Sequence, residues 1–416
     1  MTARSDDASW SKVARGTPNP TQFLNERRRS AERSSSTLAR VTDTDGQPAP
    51  QTQLQGVVPI FLGFLAFGAR AFGGPVVQIQ GLLDEFVQRR KWTDEARFRR
   101  ALGVYQVLPG PEAHEMCCYL GTVRGGRFGG VAAGLGFMLP GLVLMLAASA
   151  LYGTLDLKSP PIAGAMAAMQ IAACALIVRA VFKLVAPIWS AASDTNKLPM
   201  VVVFLASLAW VTLVEFNGGL QVEAAASGAP RSAGDLFGHG LVAGLVTFGG
   251  AYTALPYVSS VAAGDAGWMT QQACLDGIAI ASVLPAPLVI FGTFVGYQGG
   301  GVAGALAFTA GIFLPAFSFT FLGFGIFERL VSWTPARRVL DLLGAAAVGM
   351  IAGAAILFMI ETSGGWPERP VYFGAWTAPL IGLAIGITFR VRHRLVAPIL
   401  VIAAGLAGAT YGALFG

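Results

Sequence analysis

The chain has 416 residues, of which 54% are hydrophobic and 12% charged, against roughly 45–50% and 25% in soluble domains. A water-soluble single-core protein is excluded. Residues 1–54 alone hold eight Lys/Arg and six Asp/Glu, and a spanning helix needs about 20 apolar residues. The charge-poor remainder therefore reads as an all-α polytopic membrane protein with no room for a large aqueous domain. The net charge of +6 is assigned to Lys and Arg retained on the cytoplasmic side, not to nucleic-acid binding.

In chain order, residues 1–54 are rich in Ser, Arg and Pro, with a basic run at Arg27, Arg28 and Arg29, and read as a disordered cytoplasmic tail. No apolar core follows the N-terminal charges, so no cleaved signal peptide is expected. Residues 55–217 form a first unit. Two short hairpins, 56–73 with 76–88 and 98–109 with 112–123, are broken at Gly73-Gly74-Pro75 and Pro109-Gly110-Pro111. Spans at 127–152, 161–184 and 198–216 follow. After a periplasmic linker, 218–234, a second unit, 235–392, carries hairpins at 236–263 and 270–297 and spans at 300–327, 339–360 and 371–389. Residues 393–416 contain one further spanning helix. Cys117, Cys118, Cys174 and Cys274 all lie in apolar stretches and read as core residues, with neither a disulfide framework nor a metal site.

The two units share a pattern. Phe72-Gly73-Gly74, Trp92, and Leu108-Pro109-x-Pro111 recur 176 positions later as Phe248-Gly249-Gly250, Trp268, and Leu284-Pro285-x-Pro287. Leu139-Pro140 recurs as Leu314-Pro315, and Gly129-Gly130-Val131-Ala132 aligns with Gly300-Gly301-Val302-Ala303 at an offset of 171. Charge orients the units: Arg89, Arg90, Lys91, Arg97, Arg99 and Arg100 follow the first Gly-Gly, whereas 260–276 has no Lys or Arg. The units are thus expected to be inverted-topology repeats. In that topology 25 of the 29 Lys/Arg are cytoplasmic, Lys158, Arg231 and Arg369 are outside, and Arg70 lies within the membrane.

Gly and Pro inside apolar segments free backbone groups that lipid cannot satisfy. Paired breaks in inverted halves point to a transporter site near the midplane, although small residues also serve helix packing. For Gly125-Gly126-Arg127-Phe128-Gly129-Gly130 the packing reading is favoured. Helices leaving Pro75 and Pro111 direct free N–H groups at an anion. Arg70 adds a permanently charged fork suited to oxyanions, with an Arg that snorkels, or pairs with an acid such as Glu112, as the structural alternative. Glu112, His114 and Glu115 are proton-relay candidates, with helix capping as the alternative for Glu112. Gln106, its repeat mate Ser282, Thr247 and Thr293 are neutral donors that could line the cavity, together with Phe72, Gly249, Gly250, Pro285 and Pro287 from the breaks. His239 and His393 sit at predicted helix ends, facing water. No zinc, serine-hydrolase or phosphate-loop motif occurs, so no metal or cofactor is expected and the carrier is secondary.

On Phe72 to Pro75, Trp92-Thr93, Leu108 to Pro111, and the Gly-rich stretch leading to Phe137-x-Leu139-Pro140, the chain resembles the chromate ion transporter family over roughly residues 55–390. The resemblance implies a multi-pass carrier of the bacterial inner membrane that exports chromate, confers chromate resistance and couples to the proton motive force. It also implies inverted homologous halves. Two departures stand out: Gln78 occupies a position where family members often carry His, and the second half reads Leu284-Pro285-Ala286-Pro287. Gln78 joins the candidate substrate residues. The alternatives are a sulfate or other oxyanion carrier and, last in rank, a membrane-embedded enzyme or sensor; a homodimer is left open.

Overall fold

A computed structural model describes residues 55–106, 108–191, 194–216, 230–247, 254–263, 267–322, 326, 333–364, 377–391 and 395–415. The tail, Phe248-Gly249-Gly250, Arg369 and His393 lie outside these residues. The described residues are helical, without strands. In order come α1 (Val57–Gly68), α2 (Pro75–Leu82, continuing as π turns over Leu83–Arg89), α3 (Glu95–Tyr105) and α4 (Glu112–Tyr152). Next are α5 (Pro160–Ala191), α6 (Asp194–Phe216), α7 (Ala233–Leu245), α8 (Leu255–Ala263) and α9 (Gln271–Val283). A 3-10 turn (Leu288–Ile290) leads into α10 (Phe291–Leu322), followed by α11 (Thr334–Gly364), α12 (Thr377–Arg390) and α13 (Val396–Phe415). Among the described residues, five helices are long and apolar enough to cross a membrane, beginning at Glu112, Pro160, Leu288, Arg338 and Val396. The protein is a polytopic helical membrane protein.

The helix boundaries follow local chemistry. Pro75 opens α2 at a position where its missing N–H costs nothing. Asp94 caps α3 by accepting from the Arg97 amide at 2.8 Å, and Thr270 caps α9 by accepting from the Ala273 amide at 3.1 Å. These caps are 176 positions apart, and other bonds recur at nearly the same interval. The Trp92 amide donates to Phe86 O and the Trp268 amide to Ala262 O, both at 2.9 Å. The Leu108 amide donates to Tyr105 O and the Leu284 amide to Ala281 O, both at 3.2 Å. The Gln55 amide donates to Arg124 O, and the Arg231 amide to Gly299 O.

Packing repeats as well. A side chain at Gly68 would strike the Phe137 carbonyl, and one at Gly244 the Ile312 carbonyl, so α1 lies directly on α4 and α7 directly on α10. Both long helices bend at a glycine pair, Gly125-Gly126 in α4 and Gly300-Gly301 in α10. Gly126 (φ +62°) and Gly301 (φ +59°) adopt the left-handed region closed to most side chains. The structural interval is therefore 175, which corrects the alignment at 171: Gly300-Gly301 answers Gly125-Gly126. The run is a bend as well as a packing surface, because Gly121 and Gly129 still meet backbone to backbone across it.

Helices α4 and α10 pack on each other, α5 packs on α13, and α6 on α11. Within the first half, Phe64 stacks on Phe86 at 4.3 Å, with Trp92 beside both. His239 is half-buried, with Nδ1 3.2 Å from the Tyr257 hydroxyl and its ring against Trp268. All four cysteines are buried and none is in a disulfide.

The packing makes a contrast measurable. Gly68→Ala and Gly244→Ala should each lower the melting temperature in detergent, by the roughly 1–3 kcal/mol typical of overpacking. Gly386→Ala, whose new methyl meets nothing within 4 Å, should be neutral or stabilising by about 0.5–1 kcal/mol. Equal melting at all three positions would contradict the close helix contacts.

Candidate functional site

The first break runs from the end of α1 to Pro75. Gly73 (φ +93°) and Gly74 (φ +78°) turn the chain, and no atom lies within 4 Å of where a Gly74 side chain would begin. The amides of Gly73 and Gly74 donate to no acceptor among the described residues. Phe72 and Pro75 are half-buried beside them. One turn into α2, Gln78 is 1% exposed. Its Nε2 donates to Ala71 O at 2.8 Å and to Ala286 O at 3.0 Å. Ala286 belongs to the second half's Pro285-Ala286-Pro287 break, so Gln78 joins the first break to the fourth.

The second break joins the third in the same manner. Gly110 (φ +144°), between half-buried Pro109 and buried Pro111, donates its amide to Thr247 O at 2.6 Å. Thr247 is fully buried and turns its hydroxyl back to Ala243 O. Pro111 caps α4 with its carbonyl, which accepts from the amides of His114 and Glu115. Glu112 is 5% exposed, with the Gln106 side chain as its polar neighbour. Glu112 does not pair with Arg70, so of the structural alternatives for Arg70 the ion pair is excluded. His114 and Glu115 are fully buried.

Arg70 stands apart from these buried groups. It is exposed, and its Nε donates to Ala66 O at 2.9 Å, one turn back on its own helix; it pairs with no acid among the described residues. It lies in the turn after α1, two residues before Phe72. Ser282 is half-buried and donates to Ala279 O at 2.6 Å, so its hydroxyl is turned to its own helix. Thr293 is bonded to Thr309 at 2.7 Å, both buried within the second half. Pro285 and Pro287 are buried in the fourth break. Gly249 and Gly250 fall outside the described residues.

The arrangement brings turns with free amides and two helix starts, α2 and α4, to contacts between the halves, an environment that stabilises anions. Among the described residues, no three His, Cys, Asp or Glu side chains are grouped to hold a metal ion.

One polar cluster escaped the sequence reading. Asp276 on α9, fully buried, accepts from the Tyr152 hydroxyl at 2.7 Å and from Gln170 Nε2 at 2.8 Å. It thereby ties α9 to α4 and α5. The signal was present: Asp276 is an acid isolated in an apolar segment, as Arg70 is a base, and the rule that intramembrane charges face the protein interior covers both. Asp276→Leu should cost about 1–3 kcal/mol by stranding the Tyr152 and Gln170 donors, with Asp276→Asn milder, both read as loss of monodisperse protein on heating.

Known proteins are similar to this chain over most of its length. The family model for chromate transporters matches twice, at residues 58–228 and 234–409. A chromate transport protein of Pseudomonas aeruginosa is 38% identical, over 89% of this chain and 95% of its own. A probable chromate transport protein of Synechococcus elongatus is 27% identical over 84% and 94%, and a chromate transport protein of Cupriavidus metallidurans 26% over 71% and 80%. No solved structure matches. With both halves matched and the breaks in place, the chain belongs to the chromate transporter family.

Proposed function

We propose that the protein is a secondary carrier exporting chromate across the bacterial inner membrane, with its N-terminal tail in the cytoplasm, and that it thereby confers chromate resistance. The observation that carries this reading is the meeting of the breaks: Gly110 with Thr247, and Gln78 with Ala286. In the proposed frame, residues 55–217 and 235–392 are inverted copies, 218–234 is a periplasmic linker and 393–416 holds an added helix. The bonds recurring at intervals of 175 and 176 support the duplication, and the basic residues after Gly74 support the inversion.

The anion binds mid-membrane against the amides of Gly73 and Gly74 and the starts of α2 and α4, whose dipoles favour negative charge. Phe72, Pro75, Pro109, Pro111, Pro285 and Pro287 shape the pocket, with Gly249, Gly250, Thr247, Gln106 and Ser282 supplying further polar groups. Exposed in the turn after α1, Arg70 receives the oxyanion and does not sit in a dry pocket. Its planar guanidinium matches two oxygens of a tetrahedral anion. Direction follows from charge: a dianion leaving an inside-negative cell gains about 4.6 kcal/mol per 100 mV, whereas import needs roughly three co-transported cations. Glu112, His114 and Glu115 are the groups through which protons would couple. Sulfate, with the same charge and shape, is the competing substrate.

Inside-out vesicles carrying the protein should accumulate radiolabelled chromate, with sulfate a weaker competitor; preferential sulfate accumulation would make it a sulfate carrier. Arg70→Ala should abolish accumulation at normal expression and Arg70→Lys should remain impaired, while full activity in Arg70→Ala removes this residue from the site. Reporters fused after Lys91 and after Gly267 should signal from opposite faces of the membrane; signals from one face would end the inverted reading.

A further inference from the structure

The three polar residues after the second break have unlike surroundings. Glu112 has the Gln106 side chain. His114 is enclosed by Phe313 and Phe317, both 4.8 Å away between ring centroids, with Phe137 beyond and its Nδ1 3.8 Å from Cys118 Sγ. Glu115 is fully buried, and neither of its carboxyl oxygens has a hydrogen-bond partner among the described residues. The titratable groups facing it are Glu112 on its own helix and Tyr105 from α3, with Tyr119 and Cys118 next to Tyr105; no cation is among them.

A carboxylate with no donor and no cation costs several kcal/mol to bury, so this arrangement accommodates the neutral acid only. The Glu115 carboxyl also occupies the place where a side chain on Gly110 would be. Gly110 is the residue whose amide holds Thr247 of the other half. We propose that Glu115 is the proton-binding site of the carrier and that its protonation latches the second break onto the third. With the proton on Glu115, the Gly110 amide stays on Thr247 O and the contact is closed. When the proton leaves, the carboxylate needs a donor, and the adjacent Gly110 peptide can turn to supply its N–H only by releasing Thr247. Glycine is required at position 110 because a methyl group would collide with the carboxyl and its φ of +144° is closed to other residues.

The second half has no such device. The residues 176 positions on from Gly110 and Glu115 are Ala286 and Phe291, and Ala286 is held through its carbonyl by Gln78. One carboxyl therefore governs one of the two contacts, which couples a proton to one side of the site. This inference rests on the transport reading and assigns to one atom pair the coupling that the reading leaves among three residues.

The full chain, reconstituted in liposomes enclosing a pH-sensitive dye and given a chromate gradient, tests it. Wild type is expected to move protons in fixed ratio with chromate, at a rate that changes with pH. Glu115→Gln, unable to release a proton, should keep the latch closed, with chromate and proton movement both near background at every pH. Glu115→Asp should keep proton movement with a displaced pH profile. Wild type moving chromate without protons, or Glu115→Gln keeping the wild-type ratio, overturns the latch and leaves the transport reading intact. Should Glu115→Gln not fold, an undisplaced profile in Glu115→Asp overturns it equally. Wild type that moves no chromate overturns the transport reading, and the latch with it.

Discussion

A helix broken inside a membrane must find partners for the peptide groups that the break exposes, because lipid offers none. In this protein the solution is contact between broken segments. Gly110 gives its amide to Thr247, and Gln78 spends both amide hydrogens on carbonyls at two breaks, one of them 208 positions away. The glycine bends in α4 and α10 and the bare backbone contacts of Gly68 and Gly244 follow from this requirement. Helices must approach within backbone distance for short interrupted segments to reach one another.

Matching backbone bonds carry unlike side chains. The first half places Gln78, Glu112, His114 and Glu115 around its breaks, where the second half has Leu288, Ile290 and Phe291 after its own and a closed Thr293–Thr309 pair further on. Regular bonding can be shared between copies because it depends on turns and caps. Buried ionisable groups cannot be multiplied at will, since each one removed from water demands donors or neutralisation. Asp276 obeys the same constraint differently: Tyr152 and Gln170 satisfy it outright, which suits a tie between helices better than a group that must change charge.

Much of the fold was legible before any coordinates. Gly73-Gly74-Pro75 and Pro109-Gly110-Pro111 interrupt helices where the residue types said they would. The glycine-rich run is less legible. Alignment by identical letters set Gly129-Gly130 against Gly300-Gly301, whereas the left-handed residues Gly126 and Gly301 show which glycines do the bending. A run of small residues does not announce which member turns, because conformation and not identity separates them. Charge and depth in the sequence point Arg70 at an anion; its exposure, with Nε turned back to Ala66 O, is a property of the folded chain.

Composition, period and punctuation are local properties, and they determined the membrane-spanning class, the positions of the breaks and the recurrence of one pattern along the chain. Which break meets which, and where each side chain points once there, required the tertiary structure. Thr247 presents its carbonyl and not its hydroxyl to Gly110, and Asp276 finds donors 124 and 106 positions away. Helix starts, stops and hydrophobic stripes are decided by neighbours within a turn or two. A buried polar group is decided by whichever distant segment packing brings within about 3 Å.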